Sequence, residues 1–149
     1  MSKYKTVIYN ANLITMDDEN KVIDNGYLVF VDGLIQSLGT GIPEMDEYTD
    51  SIDANGGLVT PGLINCHTHA PMSLFRGLGD DEPDRLKRFI FPLEAKYVSP
   101  EFVRTGTALS CVEMLLGGTT CFADMYFFEE EVAATASELG IRVLAGQTL

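Results

Sequence analysis

Basic residues and histidines are scarce in this sequence of 149 residues. Ten Lys and Arg stand against 22 Asp and Glu, for a formal net charge of −12, and there are only two histidines and no tryptophan. A nucleic-acid-binding surface needs basic side chains that displace counterions from phosphates, and an anionic membrane repels an acidic chain. We therefore expect neither nucleic acid nor a membrane as a partner.

Cysteine and long apolar segments are also scarce. Cys66, Cys111 and Cys121 are an odd number at spacings that suit neither a disulfide framework nor a zinc ribbon, so we expect reduced, mostly buried thiols. The N-terminus lacks the pattern of a signal peptide, and no window approaches 18 uncharged apolar residues. These absences predict a cytoplasmic protein, and a hydrophobic content of 46% predicts that it packs a core.

Residues 1–57 have the pattern of a β-rich segment. Short runs alternate apolar and polar residues, among them 27–31 and 34–38. Asp32 and Gly33 lie between these two runs, and both residue types tolerate the positive φ angles of a tight hairpin. We predict an all-β segment that contains this hairpin.

Residues 58–149 alternate strand and helix signals instead. The nearly continuous apolar run 58–66 is typical of a strand buried on both faces. Ser99 and Pro100 are a typical start of a helix, and two glycines after Leu116 end it. The later predicted elements are a strand over 119–126, a helix over 129–139 and a strand over 141–147. This order predicts an α/β fold built from right-handed parallel units.

The two histidines, His67 and His69, follow the first of these strands. Residues two apart in an extended chain point to the same side, so both imidazoles can face one point. Converging imidazoles suit a divalent transition metal, and barrel enzymes place their sites at the C-terminal ends of strands. A His-x-His triplet alone is a weak signal, and the strand before it is what strengthens it.

Several spaced motifs make the whole chain recognisable. The sequence resembles the amidohydrolase superfamily, and within it the branch of methylthioadenosine and S-adenosylhomocysteine deaminases, close to the atrazine chlorohydrolases. The motifs that carry the resemblance are the stretch 58–77 around Cys66-His-Thr-His69, Asp80-Asp81, Pro92-Leu-Glu94, the helix end 113–120 and Phe122-Ala-Asp-Met-Tyr126. The resemblance implies that residues 1–57 are a segment of an N-terminal β-sandwich. It implies that residues 58–149 are the first strands of a (β/α)8 TIM barrel, incomplete in this chain.

The resemblance also implies roles for individual residues. His67 and His69 match the first two ligands of a single divalent ion, Zn²⁺ or Fe²⁺. Glu94 matches the acid that binds ribose hydroxyls in nucleoside deaminases, although an exposed helical glutamate is the alternative. Gln147 stands where related deaminases can carry a substrate-contacting arginine, so it is a second candidate substrate contact. For Asp124 we expect a structural, hydrogen-bonding role rather than contact with the substrate.

The implied reaction is the hydrolytic deamination of an aminated purine nucleoside or a related heterocycle. Dechlorination and cyclic-amide hydrolysis are alternatives within the superfamily, and a non-catalytic fragment that pairs with another chain is an alternative outside it. Family members bind the metal and move protons with two more histidines, a glutamate and an aspartate from later strands. No catalytic residue of that set lies in this chain.

The main limit on the function of this chain is that both the metal site and the barrel would be incomplete. A catalytic zinc site usually takes three protein ligands, and a TIM barrel needs about 250 residues, more than follow residue 57. We expect the chain to be the N-terminal portion of a longer enzyme that acts on a small molecule and forms a homo-oligomer. By itself, the chain should be inactive.

Overall fold

A computed structural model describes residues 4–46 and 49–148. The fold is a mixed α/β fold with two compact units, Met1–Pro61 and Gly62–Leu149. The predicted boundary between residues 57 and 58 lies close to the division between the units. No helix in the described parts of the chain is long and apolar enough to cross a membrane.

The first unit is a five-stranded sheet with the order β3-β2-β1-β4, and β5 also pairs with β1. Its antiparallel pairs are β1 with β2 and β2 with β3, whereas β4 and β5 run parallel to β1. The strands are β1 (Lys5–Ile14), β2 (Val22–Val31), β3 (Leu34–Thr40), β4 (Thr49–Asp53) and β5 (Leu58–Val59). The all-β prediction is confirmed for the described residues.

The hairpin between β2 and β3 turns where the sequence predicted. Asp32 and Gly33 have φ angles of 51° and 79°, and β2 pairs with β3 on either side of them. Buried side chains on β1 and β2, including Val7, Ala11 and Val29, cover one face of the sheet. The described residues of this unit form one sheet layer.

The second unit is a three-stranded parallel sheet with the order β6-β7-β8 and helices between the strands. A 3-10 helix, Ala70–Phe75, follows β6, and a π-helical turn, Leu86–Ile90, leads into α1. The elements are β6 (Leu63–Thr68), α1 (Phe91–Tyr97), α2 (Pro100–Leu116), β7 (Thr119–Tyr126), α3 (Glu129–Glu138) and β8 (Arg142–Gln147). The predicted parallel arrangement of alternating strands and helices is confirmed.

Local sequence determines both ends of α2. The Ser99 side chain accepts a hydrogen bond from the Phe102 backbone N–H at 3.2 Å, and Pro100 is the first helical residue. Gly117 ends the helix, and Gly118 follows with a φ of 84°. The core of the unit lies where α2 and α3 cover the sheet, and its fully buried residues include Val103, Cys111, Phe122, Val132 and Ala136.

The prediction that residues 58–66 form one strand buried on both faces is wrong for the described chain, in which Leu58–Val59 is β5 of the first sheet and Leu63–Thr68 is β6 of the second. Leu63 is 62% exposed and Ile64 is 67% exposed, and Cys66 is an exposed thiol. The reason is the position of β6 at the sheet edge, where β7 is its only partner among the described residues. Cys111 is buried and Cys121 half-buried, so the prediction of mostly buried free thiols fails only at Cys66.

Candidate metal and substrate site

The two histidines lie together at the C-terminal end of β6. The ring centroids of His67 and His69 are 5.2 Å apart and the ring planes are inclined by 79°. His67 is exposed and His69 is half-buried. The structure therefore brings the two predicted metal ligands to one place, as the spacing in the strand requires.

A hydrogen bond to the neighbouring strand orients His69. Its Nδ1 lies 2.6 Å from the carbonyl oxygen of Met125 on β7. A carbonyl oxygen only accepts, so Nδ1 carries the hydrogen, and Nε2 of the neutral ring keeps a free lone pair. Metal-binding histidines commonly have their second ring nitrogen held in this way.

Asp124 supports the segment around His69 from the neighbouring strand. Its Oδ1 accepts hydrogen bonds from Thr68 Oγ1 and from the Ala70 backbone N–H, the latter at 2.8 Å. Asp124 is 5% exposed, so these bonds are made away from water. The expectation that Asp124 makes structural hydrogen bonds is confirmed, and its partners are the two neighbours of His69.

Helix α2 holds the other side of this segment. Ser110 Oγ donates to the Ala70 carbonyl at 2.7 Å, and Ser73 Oγ donates to the Gly106 carbonyl at 3.0 Å. A Cβ atom at Gly106 would lie 2.4 Å from the carbonyl oxygen of Pro71, so only glycine permits this contact. The chain after His69 is thus packed directly against a helix backbone.

Glu94 and Tyr126 meet next to His69. The Tyr126 hydroxyl donates to Glu94 Oε1 at 2.8 Å, and its ring centroid is 6.4 Å from that of His69. Tyr126 is 4% exposed. Burial, followed by the hydrogen bond and the charge of Glu94, raises the pKa of the phenol above its usual value, so Tyr126 remains a donor at neutral pH.

A cavity of about 300 Å³ opens between these groups. Its polar lining includes His69, Glu94 and Thr148. The rest of the lining is mainly apolar and aromatic: Met72, Leu86, Ile90, Phe91, Met125, Tyr126 and Phe127. A cavity with apolar walls and a few convergent polar groups is typical of a small-molecule site.

Gln147 lies elsewhere, although the sequence suggested it as a substrate contact. Its Oε1 accepts from the Glu129 backbone N–H at 3.0 Å, and its Nε2 donates to the Thr148 carbonyl at 2.6 Å. The side chain therefore caps the start of α3, and it is absent from the described residues that line the cavity. Its contact with a substrate stays a prediction.

The sequence did not predict that Glu129 and Asp124 would form a pair of buried carboxyl groups. Glu129 is 4% exposed, and neither of its carboxyl oxygens has a hydrogen-bond partner among the described residues. Burial, followed by the negative charge of Asp124, raises the pKa of Glu129 to about 7. In sequence Glu129 is one of three acids in the first turn of α3, and nothing distinguishes it from the other two.

Arg76, another residue of the matched motifs, makes a surface ion pair. Its guanidinium bonds both carboxylate oxygens of Glu113 at 2.9 and 2.6 Å. The hydrogen bonds, aided by the opposite charge, lower the pKa of Glu113 and raise that of Arg76. The structure thus places Arg76 in an ion pair that joins the loop after β6 to α2.

The donor set fits part of a transition-metal site. Two imidazoles, one with Nε2 freed by the Met125 carbonyl, are suitable ligands for Zn²⁺ or Fe²⁺. The described residues contain no group of three or more His, Cys, Asp and Glu side chains arranged to hold a metal ion. A complete site would need further ligands from outside the described residues.

A comparison with protein families identifies the second unit. The model of the Amidohydrolase family matches residues 58–149. The chain belongs to the amidohydrolase family. The match includes His67, His69, Glu94 and Tyr126, so the site described above lies within the family region.

Individual amidohydrolases are similar along almost the whole chain. A 5-methylthioadenosine/S-adenosylhomocysteine deaminase from Thermodesulfovibrio yellowstonii is 49% identical over 150 residues, which cover 96% of this chain and 34% of the relative. An adenosine deaminase from Xanthomonas campestris, solved with bound zinc, matches 93% of this chain and 33% of its own at a TM-score of 0.75 and 35% identity. An atrazine chlorohydrolase from Arthrobacter aurescens TC1, complexed with zinc, matches 95% of this chain and 35% of its own at a TM-score of 0.79 and 25% identity. The chain thus spans about a third of the length of these proteins.

Proposed function

We propose that the chain is part of a metal-dependent hydrolase that removes the amino group of a purine nucleoside. The observation that carries the proposal is the shared cavity, which the half-buried ring of His69 and the carboxylate of Glu94 both line. The similarity to deaminases supports it.

His67 and His69 would hold the metal, Zn²⁺ or Fe²⁺, with further ligands from residues outside this chain. The bound ion would lower the pKa of a water molecule to roughly 7 and so supply hydroxide for the reaction. This chain would hold the imidazole of His69 through the Met125 carbonyl, and the residues on either side of His69 through Asp124. Support for zinc comes from the zinc-bound adenosine deaminase and chlorohydrolase.

Glu94 would recognise the sugar of the nucleoside. A carboxylate accepts two hydrogen bonds from vicinal hydroxyls, and Glu94 lies on the cavity wall beside His69. Phe91 and Phe127 on the same wall would pack against a flat ring and exclude water. The amino group would then point to the histidine end of the cavity.

The architecture we propose for the complete protein follows the same comparison. Residues 1–57 would form part of a β-sandwich, and residues 58–149 would supply the first strands of a (β/α)8 barrel. The exposed edge of β6 supports this, because another strand can pair with it. We also propose a cytoplasmic homo-oligomer without nucleic-acid or membrane partners, consistent with the net charge of −12.

Dechlorination of a triazine is the second candidate function. The fold similarity to atrazine chlorohydrolase, at a TM-score of 0.79, favours it. A triazine has no ribose, so Glu94 would have no sugar to bind. The two functions can therefore be separated by product and by the effect of changing Glu94.

The test uses the full-length gene product loaded with Zn²⁺. Ammonia release is measured with adenosine, 5-methylthioadenosine and S-adenosylhomocysteine, and chloride release with atrazine. We expect ammonia from at least one nucleoside, and a loss of at least about 1,000-fold in His67→Ala. The matched control is Cys66→Ser, which changes the exposed neighbour of His67. Chloride release without ammonia release would contradict the proposal and favour the second candidate. Release of neither product from any of the four compounds would contradict both functions.

A further inference from the structure

We propose that Tyr126 is a positioning residue that determines selectivity for substrates with sugar hydroxyls, because it orients the carboxylate of Glu94. This inference rests on the proposed deaminase function and concerns the same cavity. Tyr126 ends one of the family motifs, but the motif gives no role to its hydroxyl. The contact with Glu94 was not predictable from the sequence because the two residues are 32 positions apart.

The hydrogen bond between Tyr126 and Glu94 joins a rigid donor to a side chain that has few other restraints. Tyr126 lies on a sheet strand and is 4% exposed, so neighbouring residues hold its ring. Its hydroxyl donates to Glu94 Oε1 at 2.8 Å in a partly buried setting, where a hydrogen bond to a carboxylate is strong. Glu94 lies on α1, a helix of only seven residues, so this bond to the sheet restrains its side chain.

The bond also determines which carboxylate atoms remain for a substrate. Oε1 already accepts from a protein donor, so the outward lone pairs and Oε2 are left for hydroxyl groups of a ligand. Without the phenol, the glutamate side chain gains rotamer freedom, and part of the binding free energy is lost in ordering it. Selectivity for a hydroxylated sugar then falls.

Strand β7 relates this carboxylate to the metal-binding end of the cavity. Met125 bonds His69 through its carbonyl, and Tyr126, the next residue, bonds Glu94 through its side chain. Two consecutive residues of one strand therefore orient a metal ligand and the sugar-binding acid. A nucleoside held by Glu94 is thereby placed at a defined distance from His69.

The experiment compares Tyr126→Phe with the wild-type full-length enzyme. KM and kcat are measured for adenosine by chromatographic separation of its deaminated product. 2′,3′-Dideoxyadenosine carries the same amino group, so it is measured as a competing substrate through its inhibition constant against adenosine. We expect KM for adenosine to rise by about 10-fold to 100-fold, with a smaller change in kcat. The inhibition constant of the dideoxy compound should change by less than about twofold, because that compound has no vicinal hydroxyls for Glu94 to bind.

Two further variants make the test specific. Tyr97→Phe removes a hydroxyl from an exposed tyrosine on the same helix as Glu94. This variant should leave the KM for adenosine and the inhibition constant of the dideoxy compound unchanged. When Glu94→Gln is already present, adding Tyr126→Phe should change KM by less than about twofold more, since both changes act on one interaction. The double-mutant comparison also keeps the inference testable if the single Tyr126 variant is poorly folded, because a folding defect would persist in the double variant.

The outcomes separate this inference from the proposed function. Two results would overturn the role of Tyr126 and leave the proposed deaminase function intact. One is an equal rise in the KM for adenosine and in the inhibition constant of the dideoxy compound, and the other is no rise in either constant. If the wild-type enzyme deaminates no nucleoside, the proposed function fails and this inference fails with it.

Discussion

Thr68 and Ala70, on either side of His69, both donate hydrogen bonds to one oxygen of Asp124. Together with the bond from His69 to the Met125 carbonyl, these bonds fix residues 68–70, next to the proposed metal ligands, against β7. A single carboxylate thus orients the backbone here, much as carboxylates behind known metal sites orient an imidazole ring. If His67 and His69 hold a metal as proposed, we expect its affinity to depend on Asp124, which is not itself a proposed ligand.

We expect Asp124→Asn to weaken metal binding by about 10-fold to 100-fold in the full-length protein. Asparagine keeps the shape, but its amide oxygen is a weaker acceptor for two donors than a carboxylate. Zinc affinity is measured by competition with a chelator, and Asp81→Asn, at an exposed acid, serves as the control. Unchanged affinity would show that α2 alone is sufficient to hold the segment.

Glu129 provides a prediction on pH. Its pKa is about 7 in the folded protein and is near 4.5 when unfolded, so folding disfavours the charged form. The contribution of this group to stability therefore declines as pH rises from about 4.5 through 7 and remains low above that. Glu129→Gln should stabilise the protein at pH 8 by on the order of 1–3 kcal/mol and by much less at about pH 5.

This pH dependence is measured as the free energy of unfolding of wild type and variant at both pH values. Glu130→Gln, at the exposed acid next in the chain, is the matched control and should show no such difference. An equal gain under acidic and alkaline conditions would mean that the effect of Glu129→Gln is not electrostatic.

At the scale of elements, the close approach of α2 to the chain after His69 is the critical packing contact. Ser110 and Ser73 bond across it, and Gly106 leaves room for the carbonyl of Pro71. The backbone on both sides is fixed by hydrogen bonds, so neither element can move freely. We therefore expect a change at this contact to displace the residues that follow His69.

Gly106→Ala should destabilise the protein by about 2 kcal/mol or more, because its Cβ would lie 2.4 Å from the Pro71 carbonyl oxygen. In an unhindered helix the same change would stabilise. Chemical denaturation measures the effect, and Gly117→Ala, whose Cβ would meet its nearest atom at 3.4 Å, is the control. If Gly106→Ala matches that control, the helix can shift without cost.

At the scale of the whole molecule, the apolar surface left exposed on both sheets is the main feature. Leu34 and Ile35 on β3, Ile64 on β6 and Leu144 on β8 are all at least 67% exposed. Strand edges and apolar faces of this kind favour association. Within an intact barrel of the proposed type, further strands and helices would cover those of the second unit.

We therefore expect the isolated 149-residue chain to self-associate and to release no ammonia from nucleosides. The reasons are the uncovered sheets and a metal site to which the described residues bring two histidines rather than three ligands. Light scattering coupled to size exclusion measures the mass, with the full-length protein as the control. A monodisperse monomer that binds one zinc tightly would contradict this prediction.

Local signals in the sequence were sufficient to predict the hairpin of β2 and β3 and the elements from α2 to β8. Ser99 and Pro100 begin α2, Asp32 and Gly33 turn the hairpin, and these depend on contacts within a few residues. The two histidines were likewise apparent, since their spacing in a strand alone brings them to one side. The edge position and exposure of β6 were not apparent, because burial depends on which other elements cover a strand.

The sequence by itself determined the order of α2, β7, α3 and β8, the hairpin of β2 and β3, the pair of histidines and, through its motifs, the family. Only the tertiary structure decided that Tyr126 holds Glu94, that Asp124 holds the segment around His69, and that Gln147 caps a helix. Those contacts join residues 18 to 56 positions apart. Periodicity and capping rules describe neighbours along the chain, whereas such bonds arise from the way parallel strands bring distant segments side by side.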